Sequence, residues 1–295
     1  MSKMVVLVMG ATGRQGGALA RALLEKGHCV RAFTRNPNSS AAQELRLLGA
    51  TIVAGDIEDQ RSLEQAATGA DVMFAVTTPF DRGVNYEVRY GMAMADASKK
   101  VGLGHFVFAS VPLTGGPTGV PHFDSKREIE MHIRRIGIPF TIIGPAFFME
   151  NLLSPEWLAQ IYKGIFPTAL PAGRRLDYVA VADIGAFAAK VIENRESFLF
   201  QQIDLAGDSL CGSEIALLFS RLTGRDFRYV QVPLEWMRSA NEDVGKAWEW
   251  FLRRGWHIDV PRLRLGYPHI AWHSFERWAR QQNWNAVQAG SATDS

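Results

Sequence analysis

The chain has 295 residues, of which 47% are hydrophobic and 21% charged, and its formal net charge is +2. That balance is ordinary for a globular protein and excludes collagenous, coiled-coil and wholly disordered classes. The near-neutral charge leaves no electrostatic footprint for nucleic acid or an anionic membrane, so direct nucleic-acid binding is not expected.

The first half alternates short apolar runs with helical patterns. Strands are predicted at Met4–Met9, Cys29–Thr34, Thr51–Ala54, Val72–Val76, His105–Ala109 and Phe140–Ile143. Helices are predicted near Arg14–Lys26, Ala41–Leu48, Arg61–Ala67, Asn85–Val101 and Ser125–Ile136. The strands are continuous apolar runs, as expected when helices cover both faces of a parallel sheet built from βαβ crossovers. Gly27, Gly49, Gly102 and Gly137 each follow a helix pattern, where a left-handed residue closes the last turn.

After about Asn151 the rhythm changes. The cluster Gly164–Gly173 reads as an excursion loop. A strand near Leu176–Val179 leads into a helix from Ile184 to Ile192, and a strand near Gln202–Leu205 is expected to rejoin the sheet. The remainder, Ser213 to Asn283, reads as mainly helical with one strand near Phe227–Val232. Six of the eight tryptophans lie there and a seventh, Trp284, follows directly. Val244, Ala247, Trp248, Phe251 and Leu252 share a helix face by spacing. The fold class is therefore α/β, a doubly wound parallel Rossmann sheet with a smaller, mostly helical C-terminal region. The expected division is residues 1–152 as the nucleotide-binding domain, with segments near 176–206 rejoining it. Residues 153–285 form a smaller substrate or partner region, with the ligand in the cleft between the two, and 286–295 a flexible tail.

No run reaches the roughly 20 apolar residues of a membrane span. The opening run is too short for a signal-peptide core and leads straight into a glycine turn. Cys29 and Cys211 cannot make a disulfide framework, and Cys29 reads as a core residue. The expectation is a reduced, cytoplasmic protein; an oligomer is left open.

The glycine turn carries the chemistry. Gly10-Ala-Thr12-Gly13-Arg14-Gln15-Gly16 follows the first strand and opens the first helix with GxxGxxG spacing. Such a turn brings backbone close to a pyrophosphate, and the helix N-terminus offers unpaired N–H groups and a favourable dipole. Gly10, Thr12, Gly13, Arg14, Gln15 and Gly16 are thus candidate dinucleotide contacts. An acidic residue after the second strand would favour NAD(H). This chain has Arg35 there, suited to a bidentate grip on a 2′-phosphate, so NADP(H) is expected over NAD(H). Asp56 and Ile57 follow the third strand; Asp56 either accepts from an adenine amino group or caps the next helix. Thr77, Thr78 and Pro79 follow the fourth strand, at the carboxyl edge where ligands bind in open α/β sheets.

These residues, with Arg35-Asn36-Pro37, Gly55-Asp56, His122-Phe-Asp-Ser-Lys126, Pro145-x-Phe147-Phe148-x-Glu150-Asn151-Leu152 and Tyr178-Val-Ala-Val-Ala-Asp183-Ile-Gly185, resemble the NmrA-like family of atypical short-chain dehydrogenase/reductase folds. The resemblance covers most of the chain and weakens after about Gly207. It implies an NAD(P)-binding Rossmann core. Some members of such a family are redox sensors or co-regulators that do not turn the dinucleotide over, while related branches reduce quinones or dyes. Two functions follow as expectations: an NADP(H)-binding redox sensor acting through protein partners, or an NADPH-dependent reductase of an apolar quinone-, enone- or carbonyl-type substrate.

Ordinary short-chain dehydrogenases carry Tyr-x-x-x-Lys; here the stretch reads His122-Phe-Asp-Ser-Lys126. Residues four apart share a helix face, provided the helix already includes His122, and Pro121 suits such a start. Lys126 is assigned to the cofactor ribose. His122 is either a proton donor or a loop-shaping residue, and Ser110 either a substrate-orienting hydroxyl or a strand-end cap. Pro145, Phe147 and Phe148 are expected beside the nicotinamide. Asn151 and Asp183 are read as helix caps. His269-x-x-x-His273 has metal-like spacing but lacks a third ligand in view, so no metal is expected.

Overall fold

In the computed structural model the described residues are 3–112 and 115–284. The tail expected after Ala286 lies outside them. The first βα units are β1 (Val5–Val8), α1 (Arg14–Glu25), β2 (Cys29–Thr34), α2 (Ser40–Leu47), β3 (Thr51–Ala54) and α3 (Gln60–Ala67). Next come β4 (Val72–Val76), α4 (Val84–Lys100), β5 (His105–Ala109), α5 (Pro121–Ile136) and β6 (Phe140–Pro145). The chain continues through β7 (Phe147–Phe148), a 3₁₀ turn at Met149–Leu153, α6 (Pro155–Ile161), β8 (Ile165–Thr168) and β9 (Arg175–Val179). Then follow α7 (Val181–Glu193), β10 (Gln201–Leu205), β11 (Asp208–Cys211), α8 (Gly212–Thr223) and β12 (Arg228–Gln231). Four helices end it: α9 (Leu234–Ala240), α10 (Glu242–Arg253), α11 (Val260–Gly266) and α12 (Phe275–Arg280).

The contacts divide the chain into two compact units. One comprises residues 1–117, 121–145 and 181–204; the other comprises 118–120, 146–180 and 205–295.

The first unit holds a seven-stranded sheet of order β10-β6-β5-β4-β1-β2-β3. Pairings β2–β3, β1–β2, β1–β4, β4–β5 and β5–β6 are all parallel. The reversal of order beside β1 is the topological switch point at which open α/β sheets bind ligands outside their carboxyl edge. Side chains alternate across each strand. Leu7, Met73, Phe106 and Phe108 therefore join Leu63 of α3, Met94 of α4 and Ile129 of α5 in one buried layer. Helix α7 packs so close to α1 that a Cβ on Gly185 would lie 2.8 Å from Ala18 Cβ. Gly27, Gly49, Gly102 and Gly137 have φ of +80°, +101°, +66° and +70°, the left-handed C-terminal residues expected.

The second unit holds a three-stranded sheet, β11-β9-β7, and the pair β12–β8. Two expectations change here. The segment Gly164–Gly173 is not only a loop: it contains β8, parallel to β12 with Pro167 opposite Val230. A two-stranded sheet consists of edges, and an edge tolerates a residue that cannot donate to the ladder. Strand β9 pairs with β7 and β11, so the segment that rejoins the seven-stranded sheet begins only with α7 and β10.

Smaller corrections follow from packing. On α10, Ala247, Trp248, Trp250 and Phe251 are buried while Leu252 is exposed, so the apolar face includes Trp250 instead of Leu252. Asp183 is not a cap: α7 begins two residues earlier, and the carboxylate lies buried in its first turn, where the helix dipole favours it. Ser154, not Asn151, occupies the cap position of α6. Cys29 is only partly buried. No helix among the described residues is long and apolar enough to cross a membrane.

Candidate functional site

The glycine turn is built by close backbone approach. Gly10 has φ +65°, and a Cβ there would meet Val76 Cγ1 at 2.7 Å. Its carbonyl accepts from Gly13 N at 2.9 Å. A Cβ on Gly16 would stand 2.3 Å from that same carbonyl oxygen. Helix α1 then begins at Arg14, with Gly13 in extended backbone at the N-cap. No side chain caps this end and no acidic residue lies in its first turn. This end of the helix is the positive end of its dipole, which favours an anion. Gln15 Oε1 is buried and has no hydrogen-bond partner among the described residues. Thr12 and Arg14 are exposed at the turn. The uncapped helix start and a cradle that a side chain would fill fit a pyrophosphate, and the orphaned Gln15 oxygen is an acceptor suited to a sugar hydroxyl of the same dinucleotide.

The neighbouring strand ends surround this turn. Arg35, just after β2, is exposed, and its guanidinium lies 3.9 Å from Asp81. Solvent weakens such a contact, which leaves Arg35 exchangeable. Asp56 Oδ1 accepts from Glu58 N at 3.0 Å. The cap of α3 is Asp59, which accepts from Arg61 N, so the capping role considered for Asp56 belongs to Asp59. Ile57 packs half-buried on the core. Beyond β4, Thr78 Oγ1 accepts from Phe80 N at 3.4 Å, and the buried Pro79 accepts from Gly83 N at 2.6 Å.

Lys126 lies at the end of β4 in a network the sequence reading had not assembled. Its ammonium donates to Thr77 O at 3.0 Å, Thr77 Oγ1 at 3.1 Å and Glu87 Oε1 at 2.7 Å. An ammonium has three hydrogens, and all three are used. A ribose contact by Lys126 would require one of these bonds to be exchanged. Glu87, on α4, is completely buried. It also accepts from Thr77 Oγ1 at 2.9 Å and from Ser125 Oγ at 2.5 Å. Its signal in the sequence was an acid on the face that buries Gly91, Met94, Ala95 and Ser98.

His122 does fall inside α5, which begins at Pro121. Its ring lies 4.4 Å from the Phe123 ring and 5.7 Å from the exposed Phe80. His122 and Lys126 are in the same helix, but the lysine head is committed to Thr77 and Glu87.

Ser110 follows β5 and is buried; its amide extends the ladder to Ile143 O at 2.8 Å. Its hydroxyl donates in a short hydrogen bond to Glu130 Oε1, one turn beyond Lys126 on α5. Gln202 Nε2 donates to the same oxygen at 3.3 Å, and Arg134 holds Gln202 Oε1 at 2.7 Å. Burial pushes the Glu130 carboxyl above its ordinary range, against the opposing pull of the Ser110 and Gln202 bonds and of the Arg134 and Lys126 charges. Beside it opens a cavity of about 160 Å³, with Val111, Pro112, Phe123, Arg127, Glu130 and Gln202 in its wall. The sequence reading found Ser110 and missed Glu130, although spacing of four from Lys126 was available to mark it.

Pro145 closes β6 and is buried. Phe147 and Phe148 form β7, where Phe147 packs edge-on to Tyr178 at 5.7 Å and lies 6.1 Å from the Trp248 ring. No group of three or more metal-ligating side chains occurs among the described residues.

The model of the NmrA-like family matches residues 2–250. The chain belongs to the NmrA-like family. An NmrA-like family domain-containing protein of Dictyostelium discoideum is 30% identical over 272 residues, 86% of this chain and 89% of the relative. The NAD(P)H azoreductase of Xenophilus azovorans is 30% identical over 242 residues, 82% of each chain. Among solved structures, NmrA, a negative transcriptional regulator in complex with NADP, superposes with a TM-score of 0.82 at 22% identity, over 100% of this chain and 99% of that one. That likeness establishes the fold: an NmrA-like Rossmann sheet with flanking helices.

Proposed function

We propose that this NmrA-like chain binds NADP(H) on its glycine turn and uses it to reduce an apolar carbonyl-, enone- or quinone-type acceptor. Gly10, Gly13 and Gly16 would admit the pyrophosphate, the α1 amides would hold it, and Arg35 would take the 2′-phosphate by leaving Asp81. Asp56 and Ile57 would border the adenine. Thr77, Thr78 and Pro79 would line the ribose side, with Lys126 holding Thr77 in place. When bound, the reduced nicotinamide supplies a hydride.

The observation that carries the reductive reading is the short hydrogen bond from the buried Ser110, outside the end of β5, to the half-buried Glu130, which lines a cavity. A hydroxyl there can orient a ligand oxygen. The name of the azoreductase relative supports a reductive role for this branch. The second reading, a redox sensor that reports through a protein partner, is favoured by Lys126, whose donors are already spent on Thr77 and Glu87.

One experiment separates them. Binding of NADPH is titrated, and its absorbance is then followed with quinones, aldehydes and enones. Turnover with any of these supports the reductase. Tight binding without turnover supports the sensor.

A further inference from the structure

We infer that Glu130, acting through Ser110, supplies the proton of this reduction, and that the cavity beside the pair seats the oxygen of the acceptor. The inference rests on the reductase reading and deepens it. It answers a chemical need that the sequence left open, because the tyrosine of ordinary short-chain dehydrogenases is replaced by His122 and the neighbouring lysine is engaged elsewhere.

The geometry supplies a relay. Ser110 Oγ and Gln202 Nε2 both donate to Glu130 Oε1. On a protonated carboxyl the serine contact reverses: Glu130 donates to Ser110 Oγ, and the serine hydrogen becomes available to a ligand oxygen. The groups facing Glu130 are Ser110 after β5, Lys126 and Arg134 on its own helix, Arg127 in the cavity wall, and Gln202 on β10. The cations pull the carboxyl toward ionisation, and its burial outweighs them, so the proton is retained to higher pH than on a solvated glutamate. A carboxyl that keeps its proton to higher pH is the better placed to act as a general acid.

The wall composition fits one class of ligand. Val111, Pro112 and Phe123 offer apolar contact, while Arg127, Gln202 and Glu130 offer polar groups, with Ser110 hydrogen-bonded to Glu130. A conjugated carbonyl or quinone presents that combination of apolar ring and polar oxygen. The balance is one hydride to carbon, from the bound cofactor, and one proton to oxygen. The Ser110 O–H bond breaks as the new O–H bond forms. Ser110 recovers a proton from Glu130, and the carboxylate left behind is reprotonated from solvent through the cavity mouth.

The test uses the full chain with 1,4-naphthoquinone as the probe. Glu130→Gln keeps the size of the side chain but has no proton to give, and Ser110→Ala removes the relay hydroxyl. Both variants should bind NADPH as the parent does, melt normally, and lose about 10²-fold in kcat. The alkaline fall in parental kcat should vanish in Glu130→Gln. A readout independent of turnover is carbon NMR of glutamate labelled at its carboxyl. One resonance, absent from Glu130→Gln, should titrate above the others and move when the quinone is added. Parental turnover and pH profile retained in Glu130→Gln, or a Glu130 resonance indifferent to the quinone, would overturn the relay alone. An absence of turnover in the parent chain, with NADPH bound, would overturn the reductase reading and the relay with it.

Discussion

The Lys126 ammonium lies 2.7 Å from Glu87 Oε1, and Glu87 is wholly buried. This pair joins α5 to α4 and fixes Thr77 at the end of β4, through bonds from both partners to the same residue. Taking two charges out of water is costly, and here the cost is offset by additional bonds from Thr77 and Ser125. Removing one partner leaves an uncompensated charge. Lys126→Met should destabilise the chain by about 3–5 kcal/mol, and adding Glu87→Leu should recover part of that loss. Urea unfolding of the two single variants and the double variant checks this. A double variant as unstable as the sum of the singles would show that the pair is not coupled.

Gly16 tests the turn. Its Cβ would stand 2.3 Å from a backbone oxygen that cannot swing away. Gly16→Ala should lower stability by about 1–3 kcal/mol through overpacking and abolish dinucleotide binding. Thermal melting and a fluorescence titration with NADPH check the two effects separately.

Arg35 tests cofactor choice. The exposed guanidinium lies 3.9 Å from Asp81. Arg35→Asp should cost NADPH roughly 10- to 100-fold in affinity, the range of a charge-assisted hydrogen bond, and leave NADH almost unchanged. Equal losses for the two would remove the 2′-phosphate assignment.

His105 sets an acid limit on stability. It is fully buried on β5, and its Nε2 lies 2.8 Å from Thr141 Oγ1, whose hydroxyl donates to Phe198 O. The imidazole is therefore the donor in that contact and is neutral in the fold. Burial first, then the Arg195 charge, lowers its pKa from 6.5 to about 4. The unfolded chain binds the proton more readily, so this stability is present above the unfolded value and is lost as pH falls through the window toward the folded one. The whole window is worth about 3 kcal/mol. Chemical denaturation from neutral to acid pH should show the loss, and His105→Gln should flatten that part of the curve.

Much of the first unit was legible because each βα segment announces its own ends. The bounds of β2, β3, β4 and β5 agree with the apolar runs, and the glycines after α1, α2, α4 and α5 mark the helix ends. Strand β8 was hidden because Ile-Phe-Pro-Thr sits between glycines, and proline argues against a strand unless the strand is an edge. The strand–turn–helix geometry of the glycine turn and the exposed position of Arg35 after β2 agree with what the sequence order implies. Glu87 and Glu130 carried weaker signals, a position on the apolar face of α4 and a spacing of four from Lys126. A lone acid in a helix pattern usually faces solvent, and the packing of α4 and α5 shows that the buried Glu87 meets Lys126 and the half-buried Glu130 meets Ser110.

Calorimetric titration of the purified chain with NADPH, NADP, NADH and NAD tests the central claim most directly. Saturable binding, tighter for the two phosphorylated forms, is the predicted result. A folded chain that gives no binding heat with any of the four, at more than one temperature, would contradict the assignment of the glycine turn itself.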